Sequence, residues 1–224
     1  MRKLLITIDG PAGAGKTTVS KALADRLGYI YVDTGALYRG VAYEARAAGI
    51  STDDDQNLEK LCQRLNLKFV NRGAGTLLMS GNTNITDFIR TPEMSMMASA
   101  VSARSVVRQA LLEVQRKMGE QKSAVFEGRD MGTVVFPDAD IKFFLTADLK
   151  ARASRRYQEL ANIKPQPLEE VEKDMKRRDE NDSSRHIAPL KPAADAVLID
   201  SSHISAEAVI EKMMTHIQQA FDRD

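Results

Sequence analysis

Near the start of the chain, Gly10-Pro11-Ala12-Gly13-Ala14-Gly15-Lys16-Thr17 fits the spacing G-x-x-x-x-G-K-[ST], directly after the apolar run Leu4–Ile8. A strand that ends in such a glycine-rich turn delivers several backbone N–H groups to one point. The helix that opens near Lys16 adds the positive end of its dipole. Lys16 is placed to reach the β- and γ-phosphates of a nucleotide as a point charge, and the Thr17 hydroxyl to ligate Mg²⁺. The chain is therefore expected to bind a nucleoside triphosphate through Gly10, Pro11, Ala12, Gly13, Ala14, Gly15, Lys16, Thr17 and Thr18.

Short apolar runs alternate with helical stripes over the rest of the 224 residues. Leu4–Asp9, Tyr29–Val32, Ala124–Glu127, Ile141–Leu145 and Ala196–Ile199 read as buried parallel strands. Lys16–Leu27, Leu37–Ala48, Leu58–Leu65, Pro92–Ala100, Ser105–Gly119, Asp148–Ala161 and Leu168–Glu180 read as helices. A last helix follows Ser205, its stripe formed by Val209, Ile210, Met213, Met214, Ile217 and Phe221. Between them, Leu67–Val70, Thr76–Met79 and Asn84–Thr86 are brief strands split by Arg72-Gly73-Ala74-Gly75 and Ser80-Gly81-Asn82, the texture of a small antiparallel insertion. The fold expected is α/β: a parallel five-stranded sheet flanked by helices, with that β-rich insertion and an arginine-rich helical lid around a mobile turn at Asn162–Pro167. Ligands of such sheets sit beyond the strands' carboxyl ends. The clusters opened by Gly10, Asp33 and Gly128 all lie there.

Bulk properties narrow the partners. Lysine and arginine number 32 against 31 aspartates and glutamates, a net charge of +1, which offers no field for nucleic acid or an anionic membrane. Cys62 is the single cysteine, so no intrachain disulfide forms, and a cytoplasmic setting is expected. Met1-Arg2-Lys3 and the apolar residues after it superficially resemble a secretion signal, but the apolar stretch is too short and runs into the phosphate loop. The arginines are more telling. Arg39, Arg108, Arg129, the group Arg152, Arg155 and Arg156, and then Arg177, Arg178 and Arg185 supply guanidinium forks that bind phosphate oxygens in pairs. Phosphoryl transfer needs that positioning and charge neutralisation more than covalent catalysis. His186, His203 and His216 are not required as catalysts. On the phosphate loop alone, several small-molecule kinases and a nucleotide-gated switch remain open. A basic RNA-binding surface lacks the aromatic stacking residues it would need.

Four segments together resemble a family: Gly10–Thr18, Asp33-Thr34-Gly35-Ala36-Leu37-Tyr38-Arg39, Gly128-Arg129-Asp130-Met131-Gly132-Thr133-Val134-Val135-Phe136-Pro137, and Arg185-His186-Ile187-Ala188-Pro189-Leu190. The chain resembles bacterial-type cytidylate kinase, a P-loop nucleoside-monophosphate kinase, over essentially its whole length. The resemblance implies transfer of the γ-phosphate of ATP to CMP or dCMP with Mg²⁺, by a monomer that works on free nucleotides. It implies a core of about 1–40, 105–148 and 186–224, an acceptor-binding insertion of about 41–104 and a lid of about 149–185. By the same token Thr34, Arg39, Arg129 and Arg185 hold the acceptor phosphate, Ser99, Arg108 and Asp130 contact cytosine, and Arg178 and Asp182 contact the ribose. Lys16, Arg129 and Arg185 are the implied catalytic groups, and Arg155 is added on the ATP side. The chain departs from the pattern at Glu127, where an aspartate is common, and at Thr18, where glycine or serine stands in some members. The alternatives are another monophosphate kinase or a P-loop switch, although no N/T-K-x-D guanine signature is present.

Overall fold

In the computed structural model, residues 3–72, 75–161 and 165–221 are described. Gly73 and Ala74 of one expected turn, Asn162–Lys164 of another, and Met1 and Arg2 lie outside them. The chain packs as two compact units, residues 1–33 with 116–224, and residues 34–115.

The first unit is built on a parallel sheet of strands β1 (Leu5–Asp9), β2 (Ile30–Asp33), β6 (Ala124–Glu127), β7 (Ile141–Thr146) and β8 (Val197–Asp200), in the order β2-β6-β1-β7-β8. Every residue of β1 is buried. That follows from its central place and explains why it reads as a continuous apolar run without alternation. Leu4, Ile6, Ile8, Leu23, Phe143 and Leu145 form the core with Ile210, Met213 and Ile217. Leu23 comes from helix α1 (Lys16–Leu27), and the last three from α8 (Ala206–Phe221). The α8 methionine is thus core filler. Ser205 caps that helix, its hydroxyl accepting from the Ala208 N–H. Helix α6 (Leu149–Leu160) is capped by Asp148, whose carboxylate accepts from the Ala151 N–H at 2.7 Å. It packs with α7 (Leu168–Ser184) through Ala153, Leu160, Val171 and Met175.

The second unit has α2 (Thr34–Ala47), α3 (Asp55–Gln63), α4 (Pro92–Val101) and the start of α5 (Ser105–Gly119). With them goes an antiparallel sheet of β3 (Leu67–Arg72), β4 (Gly75–Ser80) and β5 (Thr83–Asn84). Leu37, Val41, Leu58, Leu78, Ile85, Val101, Val107 and Leu111 are its core. Asp54 and Thr91 cap α3 and α4 through the Asn57 and Met94 N–H groups, and Pro92 occupies the first helical position.

Several elements differ from the sequence reading, among them α3, which runs over Asp55–Gln63 rather than Leu58–Leu65. Helix α2 opens at Thr34 rather than Leu37, because the buried stripe of Leu37, Val41 and Ala45 outweighs a glycine in the first turn. Helix α7 continues to Ser184 rather than stopping at Glu180, which puts Arg178 and Asp182 on one helix. Strand β5 ends before Thr86, whose hydroxyl accepts from the Leu78 N–H and donates to Asn84 Oδ1, taking over where a ladder bond would lie. Met131–Val135 forms a single π-helical turn that no local pattern announced.

Candidate active site

The phosphate loop lies at the carboxyl end of the central strand. Gly10 has φ +146°, and a Cβ there would fall 1.9 Å from the Leu145 carbonyl oxygen, so the strand can leave the sheet only at a residue without one. Gly15, also in the left-handed region, immediately precedes α1, and no side chain caps that helix. Its first N–H groups are left for an anion. Lys16 is buried, and its Nζ donates to the Pro11 carbonyl at 2.7 Å. Burial first, then the Arg129 guanidinium, pull its pKa down to about 7. Triphosphate oxygens beside the ammonium restore the charged form. Binding ADP at pH 8 is therefore expected to take up a proton, a fraction of one per site. Calorimetric titration in buffers of different ionisation enthalpy reads this directly, and heats independent of buffer would contradict the lysine's depressed pKa.

Thr17 is exposed at the loop, and its hydroxyl donates to Glu127 Oε1 at 2.9 Å. The other carboxylate oxygen of Glu127 accepts from the Tyr31 hydroxyl at 2.6 Å. Glu127 ends β6, next to β1, and is buried. Desolvation, then Asp33, raises its pKa above the ordinary glutamate range, while Lys16 opposes the rise. A hydroxyl and a carboxylate beside the loop lysine form an all-oxygen donor set suited to a hard divalent cation, and kinases that use ATP generally need one.

Beyond β6, Asp9 and the Gly128–Thr133 segment are tied together. The buried Asp9 carboxylate accepts from the Met131 N–H at 2.9 Å and the Gly132 N–H at 2.8 Å. This is what winds the π-helical turn. Asp130, almost wholly buried, caps the turn, and its carbonyl accepts from Val134. Burial raises the Asp9 pKa to about 6 against those two bonds. The native protein thus holds a proton between about pH 4 and 6 that the unfolded chain has released, so stability through this group falls as pH rises through 6.

Arg129 leaves the same segment, and its Nε donates to Asp182 at 3.1 Å. Arg178 and Arg185 approach that carboxylate at 3.9 and 3.8 Å. The Asp182 side chain is 4% exposed. Three of the expected acceptor arginines therefore surround one buried aspartate, within the unit that carries the phosphate loop.

Of the other expected acceptor residues, Asp130 lies in the first unit and the rest in the second. Thr34 and Arg39 lie on α2, Ser99 on α4 and Arg108 on α5. Arg108 packs 5.6 Å from the Tyr38 ring centroid, and its guanidinium donates to the Ser102 carbonyl, while the Ser102 hydroxyl donates to the Ser99 carbonyl. Ser99 and Arg108 are thus gathered at the corner between α4 and α5.

Arg155, expected on the ATP side, reaches the phosphate loop through Ser201. It donates to the Ser201 carbonyl at 2.6 Å and hydroxyl at 3.1 Å, and Ser201 in turn donates to the Ala14 carbonyl. It thus braces the phosphate loop by way of Ser201. Arg152, singled out only as one of a group, does the same more directly. It donates to the Ala12 carbonyl at 3.2 Å, to Asp179 at 2.6 Å and to the Ala147 carbonyl. Arg156 pairs only with Glu159 on the surface among its described ion pairs. Sequence reasoning also missed Asp9 and Tyr31. The signal for the first is a charge at the end of an otherwise apolar strand.

A parallel sheet in the order 2-6-1-7-8, with a phosphate loop after its central strand, a hydroxyl–carboxylate pair beside it and arginines from two further segments, defines a P-loop kinase fold. A gluconokinase from Sinorhizobium meliloti 1021 shares that fold, with a TM-score of 0.51 at 12% identity over 97% of this chain and 94% of its own. A family model described as Cytidylate kinase matches residues 6–219. The cytidylate kinase of Geobacter sulfurreducens is 49% identical over 219 residues, covering 97% of this chain and 94% of the relative. That of Halalkalibacterium halodurans is 42% identical over 222 residues, covering 98% and 99%. The chain belongs to the cytidylate kinase family. Among the described residues no helix is long and apolar enough to cross a membrane.

Proposed function

We propose that this chain transfers the γ-phosphate of ATP to CMP or dCMP, giving CDP or dCDP and ADP. The observation that carries this reading is the set of Arg129, Arg178 and Arg185 around Asp182 in the unit of the phosphate loop. A switch that hydrolyses its nucleotide with water has no use for a second, arginine-lined anion site.

The attacking group is an oxygen of the CMP phosphate, already anionic at neutral pH, so no general base is needed. The difficulty is to bring two anions together. The loop N–H groups and Lys16 hold the β- and γ-phosphates of the donor. Arg129 and Arg185, with Thr34 and Arg39, hold the acceptor phosphate, and Arg178 with Asp182 holds the ribose. Thr17 and Glu127 would hold Mg²⁺, which would neutralise charge on the donor phosphates. Arg129 and Lys16 face each other electrostatically, as two cations meant for one shared, highly charged group would. Asp130 accepts from the cytosine amino group, and Ser99 and Arg108 donate to its ring nitrogen and carbonyl oxygen. Uracil sets a carbonyl against Asp130. An unmatched buried polar pair costs about 1–3 kcal/mol, a discrimination of roughly tenfold to hundredfold. Residues of about 41–104 serve as the acceptor-binding part and about 149–185 as the lid. The enzyme acts as a monomer in the cytoplasm.

One coupled ADP-release assay with CMP, dCMP, UMP, AMP and GMP tests this. CMP and dCMP are expected to stimulate release strongly and UMP more weakly. Strong stimulation by a purine monophosphate alone would overturn the specificity, and no stimulation by any acceptor would overturn the activity. Asp130→Ala is expected to narrow the CMP-to-UMP ratio by roughly tenfold while ADP affinity stays near that of the wild type. Equal losses for the two acceptors would contradict the base contact.

A further inference from the structure

The Glu127 carboxylate is held at both ends. Oε1 faces the Thr17 hydroxyl at 2.9 Å, and Oε2 takes the Tyr31 hydroxyl at 2.6 Å. Tyr31 lies on β2 and Glu127 on β6, which are hydrogen-bonded neighbours in register, with Tyr31 opposite Val125. The phenol therefore reaches along the sheet toward the carboxyl end. Lys21 of α1 places its Nζ over the ring, 5.6 Å from the centroid. Glu127 is buried and lies in the field of Asp33, which opposes its charge. A glutamate side chain has one more rotatable bond than an aspartate. In such a place a second donor on the far oxygen decides which way the near oxygen faces.

We propose that Tyr31 is a positioning residue of the cation site, its hydroxyl holding the outer oxygen of Glu127 so that the inner oxygen fixes the Thr17 hydroxyl with a lone pair turned outward for the metal. This rests on the reading of Thr17 and Glu127 as the cation-binding pair. The logic is that of an outer group that orients a ligand without touching the ion, whose loss commonly costs 10–100-fold in metal affinity. Tyr31→Phe keeps the ring, its packing and the Lys21 contact, and removes the hydroxyl with its bond to Glu127 and its interaction with the Thr17 side chain. Tyr31 packs against the core as well, so the readout must separate positioning from packing.

The experiment is calorimetric titration of ADP into wild type and Tyr31→Phe, with Mg²⁺ and with EDTA, together with thermal melts of both proteins without nucleotide. The wild type is expected to bind ADP more tightly with Mg²⁺ than with EDTA. Tyr31→Phe is expected to lose roughly tenfold in Mg²⁺ affinity of the ADP complex, while its metal-free ADP affinity stays within about twofold, a difference too small to mark a lost contact. Equal losses with and without the metal would mean a packing role and overturn the proposal, as would a full metal gain in Tyr31→Phe. A wild type with no metal gain overturns the cation site itself, and the tyrosine's part with it. Glu127→Asp, alone and combined with Tyr31→Phe, gives a second arm as a double-mutant cycle. The shorter side chain sets its carboxylate back from the Thr17 and Tyr31 hydroxyls, so adding Tyr31→Phe to it is expected to change metal affinity little. Losses that multiply across the two substitutions overturn the coupling.

Discussion

Replacing Arg129 by alanine is expected to lower turnover with CMP, dCMP and UMP alike by roughly 10²–10³-fold, the range for removing one charge-stabilising donor at a reacting centre. The guanidinium stands between two things it must serve. It leaves the β6 segment that Asp9 fixes to the phosphate-loop strand, and it donates to Asp182 on α7. It is also the largest contribution, after burial, to the depressed pKa of Lys16. Loss of Arg129 therefore has a second signature independent of catalysis. With the neighbouring cation gone, Lys16 is more fully charged before nucleotide arrives, and proton uptake on ADP binding near pH 8 shrinks relative to the wild type. Steady-state rates with three pyrimidine acceptors, and buffer-dependent titration heats, check the two effects separately. A fall confined to CMP would make Arg129 a base-reading residue, and unchanged proton uptake would mean that the two cations do not sense each other.

The parts of this site that the sequence exposes are those whose chemistry is local. The phosphate loop is a contiguous pattern whose glycines, lysine and threonine have no other economical reading. Strands such as Leu5–Asp9 are legible because a strand buried on both faces cannot alternate. What stayed hidden depends on contacts across long stretches of chain. The π-helical turn at Met131–Val135 has no signal of its own, because its geometry comes from a carboxylate 122 residues earlier. Glu127 reads as an oddly long acid until Tyr31, 96 residues away, is seen to hold its outer oxygen. Arg155 and Arg152 fall in one helical turn, and only the fold shows that one grips Ser201 and the other the Ala12 carbonyl. The end of α7 shows the same limit. Its polar run from Lys176 to Ser184 offers no apolar stripe to extend, yet the helix continues because Asp182 is anchored among arginines.

Asp182→Ala should be the most destabilising change in the acceptor cluster. One nearly buried carboxylate stands against Arg129 at 3.1 Å, Arg185 at 3.8 Å and Arg178 at 3.9 Å. The arginine side chains are themselves 19%, 5% and 20% exposed, so water screens their mutual repulsion only in part. Removing a nearly buried anion from among three cations leaves their charge less compensated, and a loss of about 3 kcal/mol is expected. For a chain of this size that corresponds to a fall in melting temperature of roughly 6–12 °C. Asp182→Asn, which keeps the shape and removes the charge, is expected to lose most of the same amount. The cluster then becomes an anion site in want of an anion. Inorganic phosphate or CMP is expected to raise the melting temperature of Asp182→Ala by more than it raises that of the wild type, because the added charge replaces the missing one as well as filling the acceptor site. Thermal melts of the three proteins across a phosphate series, at constant ionic strength to hold screening fixed, decide the matter. Equal stabilisation of wild type and variant would mean that the carboxylate is not the counter-ion of the arginines. Its burial would then reflect packing at the end of α7, not the electrostatics of an acceptor-phosphate site.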